Sequence, residues 1–272
     1  MKQAMFYIIL FTAVISLGCS SKQDTKTGAS VNSTEKSTEK NLKKNFVKDE
    51  ISLQASDGVQ LSADYYYGES SKETAQPLVV LIHQFRQSKS QWSEDFIDSL
   101  ITAGYKVLAY DIRGHGNSEK VNYDLTELLS DPDKAPKDIE GIFKWAKEQK
   151  GIDGSRIAVI GTSIGGNLAC FARYNLGAKT VIAISNSADG FEKLNGIDPR
   201  MMGRVLVRIT DVLIITGSKD GEHEKDARYL MDNYIGDPKE LTVIDSDKHG
   251  IFLIREHPEI NSEILNWLKK YL

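Results

Sequence analysis

The sequence predicts an α/β fold, with one mostly parallel sheet covered by helices on both faces. Three observations predict it. Six short, continuously apolar runs recur along the chain, segments of helical spacing separate them, and a pair of alternating strands precedes them. Unbroken Val, Ile and Leu runs suit strands buried on both faces, and repeated strand–helix units return to a sheet in parallel.

The elements follow in order. Residues 51–56 and 60–67 flank Asp57-Gly58, which predicts an antiparallel hairpin with a two-residue loop. The apolar runs are 78–82, 106–110, 157–160, 181–184, 212–215 and 241–244. Between them, Trp92, Phe96, Ile97 and Leu100 share a helical stripe, as do Ile139, Ile142, Phe143 and Ala146. Ile260, Ile264, Trp267 and Leu268 form a third near the end. No internal repeat occurs, so residues 46–272 read as one domain.

The first 45 residues read differently. A positive start, Met1-Lys2, leads into an apolar run over 4–17, shorter than the roughly 18–20 residues of a membrane-spanning helix. It suits the apolar region of a secretory signal. The run ends in Ile15-Ser16-Leu17-Gly18-Cys19, which resembles a bacterial lipobox, where cleavage precedes a cysteine that becomes diacylated. Here Ser16 stands where that pattern usually has Leu. The expectation is a signal peptide over 1–18, a lipid on Cys19 and a polar tether over 19–45, too poor in apolar residues to offset its ordering entropy. The domain would then be lipid-anchored to a membrane in the bacterial cell envelope, outside the cytoplasm.

Composition narrows the function classes. Across 272 residues the net charge is −4, which offers nucleic acid no electrostatic footprint. Two cysteines make no disulfide framework, and no clustered Cys/His spacing points to a metal. Cys170, beside Leu168, Ala169 and Phe171, reads as a core residue.

Chemistry concentrates at Gly161-Thr162-Ser163-Ile164-Gly165, which reads as strand, sharp turn, helix. Such a turn lifts a serine hydroxyl clear of the backbone. The flanking glycines remove side chains that would strike neighbouring elements, and the Ile164 N–H, at a helix start, faces developing negative charge.

This motif resembles the nucleophile elbow of the α/β-hydrolases, and other segments extend the resemblance over most of 50–272. Leu78 to His83 is similar to that superfamily's third strand, with His83-Gln84 in place of its His-Gly pair. Asp111-Ile112-Arg113-Gly114-His115-Gly116-Asn117-Ser118 is similar to its turn after strand four. Asp57-Gly58-Val59-Gln60-Leu61 resembles the opening of dienelactone-hydrolase-like and prolyl-oligopeptidase-like members.

The resemblance implies Ser163 as nucleophile, His249 after the last strand as base, and Asp220 after the preceding strand as acid. Asp189 is the alternative acid, and a helix N-cap is the plain structural alternative for Asp220. The oxyanion donors would be the amides of Ile164 and Phe85, with Gln84 the alternative to Phe85. His83 would order its loop, while His115 and Arg113 would brace the turn, with Asp111 the candidate partner of Arg113. The short stretch between Ile184 and Val212, carrying Phe191, Leu194, Met201 and Met202, would cover a shallow pocket. The implied activity is hydrolysis of a small carboxylic ester through an acyl-enzyme, without metal or organic cofactor. Alternatives are a peptidase or thioesterase using the same residues, or a non-catalytic envelope lipoprotein.

Overall fold

Each of the six apolar runs becomes a parallel strand in the computed structural model, which describes residues 46–201 and 208–272. In chain order the strands are β1 (Phe46–Gln54), β2 (Gln60–Gly68), β3 (Gln76–Ile82), β4 (Lys106–Tyr110), β5 (Ile152–Thr162), β6 (Thr180–Ile184), β7 (Val212–Gly217) and β8 (Lys239–Ile244). They form one eight-stranded sheet in the order β1-β2-β4-β3-β5-β6-β7-β8. β2 pairs antiparallel with both β1 and β4, and every other pairing is parallel.

The period-two geometry of a strand divides the core in two. Leu78, Val80 and Ile82 of β3 pack with α2 (Ala135–Glu148), α3 (Ile164–Phe171), α4 (Ala188–Leu194) and α5 (His223–Asn233). Val79 and Leu81 point the other way, onto α1 (Glu94–Thr102), α6 (Ile251–Glu256) and α7 (Ile260–Tyr271). All five side chains are fully buried, each worth about 1.5–3 kcal/mol relative to exposure. Local chemistry starts the helices: Ser93 caps α1 by accepting the Phe96 N–H at 3.3 Å, and Glu94 and Asp95 complement its dipole. The expected stripes are buried: Phe96, Ile97 and Leu100 in α1, and Ile260, Ile264, Trp267 and Leu268 in α7.

Two expectations need correction. The β1–β2 connection is not a two-residue loop, because Gln54 pairs with Gln60 and residues 55–59 form the turn. Contacts from elsewhere in the fold shape it. Ser56 N–H donates to Lys137 O at 2.9 Å, and Asp57 takes a two-pronged bond from Arg113 at 2.7 and 2.8 Å. Arg113 accordingly does not pair with Asp111. Its Nε donates to the fully buried Asp138 at 2.6 Å, and its backbone N–H reaches the same carboxylate at 2.9 Å. Asp111 instead accepts the Lys89 N–H at 2.7 Å, Lys89 Nζ at 3.1 Å and the Asn117 N–H at 2.9 Å. The turn closes over Asp111 so tightly that a Cβ on Gly116 would lie 2.2 Å from its carboxylate, whose oxygens these donors already occupy.

The expectations for residues 1–18, Cys19, the whole tether over 19–45 and Met202 lie outside the described residues. Among the described residues no helix is long and apolar enough to cross a membrane.

The Arg113 pairs generate a stability prediction. Arg113→Met strands the buried Asp138 carboxylate without its partner, and should destabilise the domain by about 3–5 kcal/mol. Urea denaturation of the domain measures it, and a loss below about 1 kcal/mol would show that the pairing contributes little.

Candidate active site

Ser163 joins β5 to α3 at φ 55° and ψ −118°. A non-glycine residue held in such a sparsely populated conformation stores about 1–3 kcal/mol of strain. Its amide donates to Ile184 O at 2.8 Å, which fastens the turn to β6. The motif glycines are sterically required. A Cβ on Gly161 would lie 2.0 Å from Gly165 O, and one on Gly165 would lie 2.4 Å from Ile82 O at the end of β3. The Ile164 N–H, in the first turn of α3, has no intrahelical acceptor. Among the described residues neither it nor the Ser163 hydroxyl makes a hydrogen bond.

Two buried histidines shape the loop after β3. His83 Nε2 accepts the Ile112 N–H at 2.9 Å, which leaves the ring proton on Nδ1 to donate to Gln84 O at 2.8 Å. His115 repeats the arrangement, accepting the Arg86 N–H on Nε2 at 3.1 Å and facing Arg113 O with Nδ1 at 3.2 Å. Both roles require neutral rings. Burial supplies that by pushing the His83 pKa down to about 4 and lowering that of His115 as well. The Gln84 N–H is taken by Gln91 Oε1 at 3.2 Å, whereas the Phe85 N–H has no partner among the described residues. Of the two amides weighed as oxyanion donors, only that of Phe85 is free.

Asp220 and His249 meet across the ends of β7 and β8. His249 Nδ1 lies 2.9 Å from Asp220 Oδ2 and 3.1 Å from Oδ1. Burial pushes the Asp220 carboxyl up. Hydrogen bonds from His249 and Ser185, with the charges of His249 and His223, outweigh it and hold the carboxyl below its usual range. Ser185 Oγ also accepts the Gly250 N–H at 3.0 Å. Asp220 does not cap α5, whose N-cap is Glu222. Asp189 lies exposed in the first turn of α4 and pairs with Lys193 at 2.8 Å. Ser163 and His249 share no hydrogen bond among the described residues, and such bonds often tighten only once substrate binds.

Sequence reasoning passed over His223 because it lies so near Asp220. Its ring centroid is 4.6 Å from that of His249, and its Nδ1 meets Asn186 O at 3.2 Å. Its only signal was its position three residues after the acid. Asp220, His223 and His249 bring their ligand atoms within 4.8 Å of one another, close enough to hold a cation in competition with the Asp220–His249 bond. The side-chain roles of Gln84, Gln91 and Ser185 were also missed, since each rests on partners remote in sequence.

Comparison with known proteins identifies the family and the fold. A family model described as serine aminopeptidase, S33, matches residues 73–233. An Escherichia coli protein described as an uncharacterized 31.7 kDa protein in the traX-finO intergenic region is 30% identical over 115 residues, 42% of this chain and 38% of that protein. The quorum-quenching protein AidA of Acinetobacter baumannii is 29% identical over 157 residues, 56% of this chain and 49% of the relative. The chain therefore spans about half or less of these relatives' length. The solved esterase Pf2001 of Pyrococcus furiosus superposes with a TM-score of 0.63 at 21% identity, covering 83% of this chain and 91% of that one. That likeness shows the fold.

The neutral histidines make stability depend on pH. The unfolded chain protonates His83 near pH 6.5, the folded chain only near 4. The full contribution is therefore present above about pH 6.5 and drains away as pH falls toward 4, by about 3 kcal/mol. His83→Gln, which cannot titrate, should start less stable and lose less between pH 7 and 4.5. Equal losses in urea melts of the two proteins would contradict the assignment.

Proposed function

Because this chain belongs to the serine aminopeptidase S33 family and has the α/β-hydrolase fold, we propose that it hydrolyses a carboxylic ester through an acyl-enzyme formed on Ser163. The observation that carries the reading is the His249–Asp220 bond at 2.9 Å, formed at the strand ends that also carry the strained Ser163 turn. Asp220 holds the proton on His249 Nδ1 and leaves Nε2 as the base. Ser163 Oγ attacks the ester carbon while Nε2 takes its proton, and the carbonyl oxygen becomes an oxyanion facing the Ile164 and Phe85 amides. His249 then protonates the departing alcohol. Water, activated by the same imidazole, releases the acid and restores the serine.

An ester is favoured over a peptide with a free amino terminus. Such a peptide calls for a free carboxylate beside the site. In α4, Asp189 is paired with Lys193, and Glu192 accepts the hydroxyls of Tyr229 and Tyr234 at 3.1 and 2.8 Å. The quorum-quenching name of the Acinetobacter relative adds quorum signals to the substrates worth assaying. Among p-nitrophenyl esters and aminoacyl amides, the esters should be turned over.

Ser163→Ala should lower kcat by about 10⁴–10⁶-fold while the protein stays folded. Asp220→Asn should lower it by about 10³–10⁴-fold through the wrong histidine tautomer, and Asp189→Asn should leave it near wild type. More than a few per cent residual activity in Ser163→Ala removes Ser163 as nucleophile, and a larger loss in Asp189→Asn moves the acid to α4.

For localisation we propose the lipid anchor on Cys19, supported by the lipobox-like segment ending at that residue. Metabolic palmitate should label the wild-type protein in the membrane fraction and fail to label Cys19→Ser. Wild-type protein that is unlabelled and soluble would remove the anchor and leave the hydrolase reading intact.

A further inference from the structure

Gln84 stands where the resemblance leads one to expect glycine, and the residue is 7% exposed. Its Oε1 accepts the Ile251 N–H at 2.8 Å across 167 residues of sequence. Ile251 lies two residues after His249 and opens α6, so its N–H has no acceptor within the helix and needs one from outside. The fit is close: a Cβ on Gly250 would lie 2.2 Å from Gln84 Oε1, and Gly250 itself has φ 58°. Through its main chain the same residue faces the other way. Its N–H donates to Gln91 Oε1 at 3.2 Å, and Gln91 Nε2 donates to Thr162 Oγ1 at 2.9 Å, one residue before Ser163. Arg255 of α6 donates to Gln91 O at 3.1 Å, which closes the circuit.

We propose that Gln84 is a positioning residue that sets the distance between the Phe85 amide and the His249 imidazole. The proposal rests on the hydrolase reading above. Gln84 touches no reacting atom. Its own main chain lies one residue before the oxyanion amide and is held by Gln91, while its carboxamide binds main chain two residues after the base. The tetrahedral intermediate forms between those two groups, so the oxyanion donor and the proton acceptor keep one separation while Ser163 attacks. A glycine at position 84 has no side chain to make this tie. Displacement of a catalytic group by about 1 Å commonly lowers the rate on the order of 100-fold.

Two substitutions separate the acceptor from the bulk. Gln84→Met keeps the length of the side chain and removes Oε1, whereas Gln84→Glu keeps an acceptor there. Gln84→Met should lower kcat for a p-nitrophenyl ester by about 10–100-fold and change KM by less than about threefold. It should also shift the downfield proton resonance of the His249 Nδ1–H. Gln84→Glu should recover kcat to within about threefold of wild type above pH 7. Wild-type kcat in Gln84→Met, or equal losses in the Met and Glu variants with lowered melting temperatures, would overturn the positioning role. Fluorophosphonate labelling separates this failure from that of the parent reading. Wild-type protein that resists labelling at Ser163 removes the hydrolase, while equal labelling rates in wild type and Gln84→Met remove only the role of Gln84.

Discussion

The close approach of backbone to backbone around Ser163 is the constraint on which the rest of this site depends. α3 begins where a Cβ on Gly165 would lie 2.4 Å from Ile82 O, and one on Gly161 would lie 2.0 Å from Gly165 O. Helix and strands meet there without side chains between them. That contact sets Ser163 at a positive φ, brings the Ile164 amide to the C-terminal end of the central strands, and fixes where the loop after β3 leaves the sheet. The strain of the turn persists because buried, paired neighbours on both sides over-determine it: Ile82, Ile160 and Ile184 are all fully buried.

Around that contact, main-chain donors are satisfied by side chains from other elements. Neutral imidazoles take the N–H groups of Ile112 and Arg86, and carboxamides take those of Gln84 and Ile251. Among the described residues the amides of Phe85 and Ile164 are left without partners. A loop that must present a free N–H cannot rely on a regular ladder, because a ladder would consume that N–H. Side-chain acceptors placed one at a time allow the Phe85 amide to remain open while both neighbours are held.

The sheet was legible in the sequence because strands buried on both faces carry their signal locally. Residues 78–82 and 212–215 read as strands without reference to anything else. The length of the β1–β2 turn was not legible, since Arg113, 56 residues away, draws Asp57 into its fork. The choice of partner for Arg113 failed for a related reason. Asp111 and Arg113 share a turn, but the fold of that turn over Gly116 closes Asp111 off and turns the guanidinium toward Asp57 and Asp138. The pairing of His249 with Asp220 could be anticipated from chain order, because the ends of consecutive strands β7 and β8 are neighbours in a parallel sheet. The contact of His223 with His249 and the reach of Gln84 to Ile251 could not, because neither residue type nor local spacing encodes a contact that only tertiary packing creates.

Gln84 and Gly250 illustrate how a departure from a family pattern becomes self-consistent. A longer side chain after His83 fills space that a glycine leaves empty, and a Cβ at position 250 would occupy that same space. The pair therefore carries a single steric condition divided between two distant positions: the loop that bears His249 must stay bare where the loop that bears Phe85 is long. The exchange replaces backbone freedom at position 84 with a directional bond to Ile251, so the loop loses flexibility and gains a defined distance to its neighbour. A site whose chemistry needs an amide and an imidazole at one fixed spacing gains from that exchange, since a defined distance between them is what the glycine pattern leaves to the rest of the fold.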